Sequence, residues 1–451
     1  MVDVITALFA AVCLCLIGEV VRIITPGLRR LLVPGAVIGG LLALVLGPQV
    51  IAWGEAAWVN RGYEQLSQFP ALFINVVFAA LMLGKPIDRF SGIWRRALPQ
   101  IVMGHIYAWG QYVIGLAVIL FVLSPLMGVD RLAGATIAIG FQGGHGTAAG
   151  LQGTFHKLGF VDGKTIAYAM ATFGIIAGTI GGPLIATVLS RRHAITDDSE
   201  APRGEEISGG KNRSERKEQP VEFSPLTGKL SLHLALIGTV ILVGYGIQQG
   251  MIWTETSLRG SDVDQIYTSY IPLFSIVLIA GFATQLLLQL TKLAATFERP
   301  IIENISAFAL DMVIVSALAS LDLAVVGDYW LTILVLCIAG ATWNLSVFFG
   351  LGPRVYPKPW YPYGLGDLGG GTATTASGLL LIRAADPKNV TQARQAYSEK
   401  QPLYEPFMGG GLVTAFALPV IASLGATISL AITAVILAAW LNVAVVLMKR
   451  S

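Results

Sequence analysis

Eleven stretches of the chain are apolar for long enough to cross a lipid bilayer as helices. A hydrocarbon layer of roughly 30 Å takes about 20 residues at 1.5 Å each. The runs fall at about 2–24, 32–53, 67–84, 99–127 and 165–190, then at 230–253, 267–290, 300–326, 329–350, 404–424 and 427–448. Two further segments, 131–157 and 361–385, are rich in glycine and too interrupted for ordinary spans. Between the two sets lies 191–229, which carries charges of both signs, Pro, Gly and Ser, and hardly an apolar residue. Such a segment buries too little surface to order itself and reads as a flexible cytoplasmic connector. The pattern predicts an all-α polytopic membrane protein in two halves. Residues 1–190 hold five spans and 230–424 hold five, with an additional span in 425–451.

Composition agrees with lipid as the solvent. Of the 451 residues 54% are hydrophobic and 13% charged, against roughly 25% charged in soluble proteins. A net charge of +3, with no dense basic run carrying interleaved aromatics, argues against a nucleic-acid partner. Cys13, Cys15 and Cys337 lie inside apolar runs, offer neither a disulfide framework nor a metal spacing, and read as packing residues. The first run lacks a positive leading segment and a small-x-small cleavage site, so it reads as a retained span.

Lys and Arg gather on the cytoplasmic side of membrane proteins. With the amino terminus outside, and neither Gly-rich segment crossing, 25 of the 30 cations fall inside. They include the eight from Arg191 to Lys229 and the group Arg383, Lys388, Arg394 and Lys400. Only Arg61, Arg131, Lys157, Lys164 and Arg259 remain outside. A full crossing by either Gly-rich segment would degrade this asymmetry, so both are expected to be re-entrant loops. The expected location is a cytoplasmic membrane, with the carboxy terminus inside.

Five spans before the connector invert the orientation of the second half, and local matches suggest a duplicated origin. Gly144-His145-Gly146-Thr147-Ala148 resembles Gly369-Gly370-Gly371-Thr372-Ala373. Tyr168, Gly174, Pro183, Ile185 and Ala186 match Tyr404, Gly410, Pro419, Ile421 and Ala422 at identical spacing. The offsets, 225 and 236, differ by 11 residues, which fits a loop insertion around DPKNVTQARQ. Inverted repeats with broken helices are a recurring plan of secondary transporters, whose substrates bind where the breaks meet near the midplane.

The loop residues suit an anion and a cation. Glycines let main chain approach a ligand closely, and a short half-helix presents free N–H groups to a carboxylate. Gly143, Gly144, His145, Gly146 and Thr147 in the first loop are candidate substrate ligands, as are Gly370, Gly371, Thr372, Thr374 and Thr375 in the second. Freed carbonyls coordinate sodium, a hard cation. Candidate cation ligands are Gln142 and Asp367, at equivalent positions of the two loops, with Gly369, Asn75, Asn304 and Asp311. A carboxylate inside the hydrocarbon layer is costly and usually faces a functional cavity. The bland alternatives are close helix packing for the glycines, local backbone bonding for His145, and interhelical hydrogen bonds for the two Asn. Arg383, after the second loop, reads as a cytoplasmic snorkelling residue.

The tip FQGGHGTAAG, the following YAMATFGIIAGTIGGP, the hydrophilic centre, the Asn-Ile-Ser start at Asn304 and the second Gly/Thr tip resemble the bacterial glutamate:sodium symporter family. The resemblance implies two inverted five-span repeats, each with a re-entrant loop, a homodimer, and inward movement of glutamate with sodium. The tip roles would fall on Gly143 to Thr147 and Gly369 to Thr375. No cofactor is implied, only sodium, with a proton as the alternative coupling ion. The second tip, GLGDLGGGTATTASG, departs from the family's Gly-Leu-Gly-Ala-Thr-Pro-Thr type of run; Asp367 and Asp311 replace apolar residues, and the last span is additional.

Two other readings keep part of this pattern. One retains the fold and carries a di- or tricarboxylate, coupled to protons through His145 and Asp367. The other takes Gly364-Leu365-Gly366-Asp367 as the Gly-x-Gly-Asp motif of intramembrane aspartyl proteases, which needs a second aspartate. Asp311 and Asp322 are the nearby candidates, and neither follows Tyr. The expectation is a carrier and not an enzyme.

Overall fold

A computed structural model of the chain describes residues 2–30, 33–51, 57–85, 93–192, 226–259 and 267–449. Among the described residues there are helices and no strands. Nine of the helices are long and apolar enough to cross a membrane. Most of the connector, 193–225, lies outside the described residues.

The helices that position the site are numbered here in chain order. The first half gives α1 (Val2–Ile24), α2 (Gly35–Leu46), α3 (Phe69–Met82), α4 (Ile93–Val118), α5 (Thr136–Phe141), α6 (Gly144–Gly150) and α7 (Gly163–Ile176). The second gives α8 (Leu226–Arg259), α9 (Leu273–Leu290), α10 (Arg299–Ala319), α11 (Trp330–Gly350), α12 (Tyr361–Thr372), α13 (Thr375–Ala385), α14 (Ala393–Tyr404), α15 (Leu412–Leu424) and α16 (Ala426–Met448).

Two of the eleven apolar runs form shorter helices than expected. α2 has 12 residues between Pro34 and Gly47, about 18 Å at 1.5 Å per residue. The run at 404–424 is broken by Gly409, Gly410 and Gly411, and Gly410 has φ +87°. Its helix α15 therefore starts at Leu412 and has 13 residues. The residues around DPKNVTQARQ, expected to be an inserted loop, turn tightly and start a helix. Asp386 accepts hydrogen bonds from the backbone N–H groups of Val390 at 2.9 Å and Thr391 at 2.8 Å, and α14 follows.

Packing sorts the helices into two groups. In one, α1 packs on α2, α2 on α10, α10 on α3, α3 on α9 and α9 on α8. Small residues let these helices approach. A Cβ on Gly18 of α1 would lie 2.5 Å from the backbone nitrogen of Gly39 in α2. In the other group α4 is the central post, packed against α11, α12, α14 and the last helix, α16. α4 and α11 meet at Gly110, where the Trp343 ring lies against the glycine and its Nε1 donates to Tyr107 O at 3.2 Å. A methyl group there overlaps the indole. Gly110→Ala is expected to destabilise the protein by about 1–3 kcal/mol, read as a lowered melting temperature in detergent. Gly246→Ala, with nothing within 4 Å, is the control expected to leave it unchanged.

Candidate functional site

The second Gly-rich segment is two short helices that fold back on each other. α12 ends at Thr372, α13 starts at Thr375, and a Cβ on Gly369 would lie 2.8 Å from Gly378 Cα across the pair. Thr374 caps α13, its Oγ1 accepting from Ser377 N at 3.1 Å. The Gly371 carbonyl, freed by the break, accepts from Gln111 Nε2 of α4 at 2.8 Å and Asn344 Nδ2 of α11 at 3.1 Å. The two amides are also bonded to each other, Gln111 Nε2 donating to Asn344 Oδ1 at 3.0 Å. Thr372 spends its hydroxyl on Leu368 O of its own helix, at 2.7 Å.

The first segment breaks at Gln142–Gly143, between α5 and α6. Gly144 has φ +65°, a left-handed conformation that favours glycine. Its neighbour His145 is buried, with Nε2 3.0 Å from Thr172 Oγ1. The Thr172 hydroxyl already donates to Tyr168 O at 2.8 Å, so it must accept from the imidazole. His145 therefore carries its proton on Nε2 and leaves Nδ1 a bare, unpartnered acceptor. The buried Thr147 hydroxyl also has no partner.

The two segments meet. A Cβ on Gly144 would lie 4.0 Å from Ala373 O, in an otherwise open space. Gly174 of α7 lies against Thr372 O, and Gly410 against Thr147 Oγ1, both too closely to admit a side chain. These contacts are reciprocal: a glycine of each half packs on the threonine in the other half's GHGTA- or GGGTA-type run.

A third element holds both tips. Lys400 and Tyr404 stand one turn apart on α14. Lys400 Nζ lies 2.6 Å from Asp367 Oδ1, and Tyr356 donates to Asp367 Oδ2 at 2.5 Å. The Tyr404 hydroxyl lies 2.8 Å from Gln142 Oε1 and 2.9 Å from Gly104 O. One helix thus reaches the equivalent residues of both loops. Between them is a cavity of about 30 Å³, room for about one water. Its walls include Tyr107, Gln142, Asp367, Lys400 and Glu405. The Tyr107 hydroxyl and Gln142 Nε2 in this wall have no protein partner. Thr375 donates to Glu405.

Other expected site residues lie elsewhere. Asn75 is buried on α3 and donates to Ala71 O of its own helix at 2.7 Å. Asn304 and Asp311 share the exposed face of α10, whereas Val313, on the opposite side, faces Gly146. Gly146 itself lies beneath Ile74, and Gly370 against the Tyr397 hydroxyl. The aspartates that a protease would need are not assembled: Asp322 caps the short helix Leu323–Asp328, and Asp311 is exposed.

Lys400 corrects the charge reading. Counted as a cytoplasmic loop cation, it is 3% exposed and paired inside the fold. The buried positions of α14 are Ala393, Ala396, Tyr397, Lys400, Gln401 and Tyr404, a helical stripe that a hydropathy scan misses because two of the six are polar. A further signal was available: Lys164-x-x-x-Tyr168 recurs as Lys400-x-x-x-Tyr404 at the offset of 236. Gln111 and Asn344 carried no such signal.

Sequence comparison assigns a family to this architecture. The model of the family described as sodium/glutamate symporter matches residues 1–349. The sodium/glutamate symporter of Escherichia coli (strain K12) is 28% identical over 308 residues, 66% of this chain and 68% of the relative. That of Haemophilus influenzae is 27% identical over 224 residues, 48% of this chain and 50% of the relative. The second tip and α14 follow the stretch that the family model matches.

Removing one partner of a buried ion pair leaves a bare charge and typically costs about 3–5 kcal/mol. In sodium-free detergent solution, Asp367→Asn and Lys400→Met are each expected to lower the melting temperature strongly. Asp367→Asn/Lys400→Met, which buries no charge at this point, is expected to recover most of the loss.

Proposed function

The chain belongs to the sodium/glutamate symporter family, and from that premise we propose that it is a secondary transporter carrying glutamate or a similar amino-acid anion inward with sodium. The observation that carries this reading is the meeting of the two broken Gly-rich segments, Gly144 opposite Ala373. Substrate would be held there by free N–H groups and by Gly143 to Thr147 of one tip and Gly370 to Thr375 of the other. The bare Nδ1 of His145 is a ready acceptor for an ammonium group. Sodium would take oxygens near Gln142 and Gly369.

The reciprocal Gly174–Thr372 and Gly410–Thr147 contacts support two inverted repeats with re-entrant loops. The arrangement of helices supports an elevator-like cycle. Both tips border the group built on α2, α3 and α10: Gly146 lies on Ile74, and Ala373 packs in one cluster with Met312 and Ile175. In the proposed cycle the loop-bearing group slides against that scaffold. A second copy of the chain would cover the exposed Asp311, Phe308 and Asn304 face of α10, since an outward carboxylate in a membrane helix is costly. The protein is then a homodimer of the bacterial cytoplasmic membrane, amino terminus outside.

Uptake of radiolabelled glutamate into proteoliposomes, with sodium and proton gradients imposed separately, tests the reading. A sodium gradient is expected to drive accumulation. Gly144→Leu, which fills the space between the tips, is expected to cut uptake by about tenfold or more, the factor that 1.4 kcal/mol supplies, while the protein remains monodisperse. Undiminished uptake would contradict the tip site. Uptake of citrate and not glutamate, driven by protons, would favour the di- or tricarboxylate carrier.

A further inference from the structure

Lys400 is coordinated as a bound cation would be. Its Nζ lies 2.6 Å from Asp367 Oδ1, 4.1 Å from the centre of the Tyr404 ring and 5.5 Å from that of Tyr397. On another side the wall is backbone, because a Cβ on Gly104 would lie 2.6 Å from Nζ. A carboxylate oxygen with aromatic faces suits an ammonium, and the carboxylate would be left for a mobile cation were the ammonium absent. The other carboxylate oxygen accepts from Tyr356, so each oxygen of Asp367 already has one partner from the protein. The space that remains, about 30 Å³, does not admit a hydrated ion beside the ammonium.

The equivalent place in the first loop is built without charge. Gln142 stands where Asp367 does, and its partner is the neutral Tyr404, one turn from Lys400 on α14. Each loop therefore reaches its tip with no net charge at this position, one with a neutral pair and the other with an ion pair. A carboxylate buried to 1% exposure is costly unless a counter-charge or a proton neutralises it, and here the counter-charge is Lys400.

We propose that Lys400 is a tethered stand-in for a coupling cation: it fills the cation place at Asp367 throughout the cycle, so that this carrier takes up one sodium fewer than the same carboxylate would demand beside a neutral residue. The inference rests on the sodium-coupled reading above and concerns residues beyond the stretch that the family model matches.

The test compares wild type, Lys400→Met and Asp367→Asn/Lys400→Met. Two quantities are read: the steepness of glutamate uptake against sodium concentration, and the rise in melting temperature when sodium replaces choline. Lys400→Met is expected to raise the Hill coefficient for sodium by about one and to show a larger sodium-dependent melting shift than wild type, as ligand linkage requires. The double variant, which removes the Asp367 charge together with its partner and leaves Glu405 as in the wild type, is expected to return both to the wild-type values. Identical sodium steepness and melting shift in Lys400→Met and wild type overturn the proposal. The melting shift needs only folded protein, so it decides even for a variant that does not transport. Should Lys400→Met not fold, the double variant decides: wild-type steepness supports the proposal, and a Hill coefficient lower by about one overturns it, since the intact pair would then itself be taking up sodium. Wild type with no sodium-driven glutamate uptake overturns the carrier reading instead, and the melting shifts still test Lys400.

Discussion

Lipid offers no hydrogen bonds, so a helix that breaks within a membrane must have its freed backbone groups satisfied by protein. At the break between α12 and α13 such partners come from both halves of the chain. The carbonyl of Gly371 is held by one amide from α4 and one from α11, and those amides hold each other. Thr374 closes the start of α13 with its own side chain. Where main chain is left open, at Gly144 and beside the bare acceptor of His145, the two tips face one another. The unpartnered atoms of His145 and Thr147 belong to the first of these tips.

Charge is treated in the same way. Asp367 is affordable in this position only because α14 folds back and delivers an ammonium to it, with Tyr356 on the second oxygen. Two of the six buried positions on that helix are polar, so both its bonds to the loops and the apolar packing of Ala393, Ala396, Tyr397 and Tyr404 hold it in place. The ion pair, the Gln142–Tyr404 bond and the Gly371 bonds together make a polar layer carried by the first loop, α4, α11, α12 and α14. Such a layer is stiff, because loosening any member leaves a buried polar group without a partner.

The amino-acid sequence made the long apolar helices legible, since a run of about 20 apolar residues in lipid has few alternatives. It also made both glycine breaks legible, the one between α5 and α6 and the one between α12 and α13. Hydropathy misjudged α15, because the three glycines from 409 to 411 end a run that remains apolar in composition. It missed α14 for the opposite reason: a buried helix face carrying Lys400 and Gln401 looks like a loop when averaged. Lys400 was assigned to the aqueous side because a cation count cannot see a buried partner 33 positions earlier in the chain. Asp311 marks the limit of the rule that a membrane carboxylate faces a cavity within its own chain, for in this monomer it points outward.

The difference between the two helix groups bears on how the proposed motion would proceed. Inside the loop-bearing group the tips are tied by side-chain hydrogen bonds and an ion pair. Against the scaffold, the tips rest on apolar surface: Gly146 lies on Ile74 and near Val313, and Ala373 belongs to the apolar cluster that includes Met312. Polar ties from the first segment to the scaffold side sit further along it, where Thr154 Oγ1 donates to Tyr270 O at 2.9 Å and Lys157 Nζ to Ser269 O at 2.6 Å. A seam of apolar and glycine contacts can shift register with little change in energy, whereas a polar layer cannot come apart inside lipid without stranding its members. The low-cost displacement is therefore of the whole polar layer as one body, with both tips and α14 travelling together, and the bonds at Tyr270 and Ser269 are among those that such a displacement has to break.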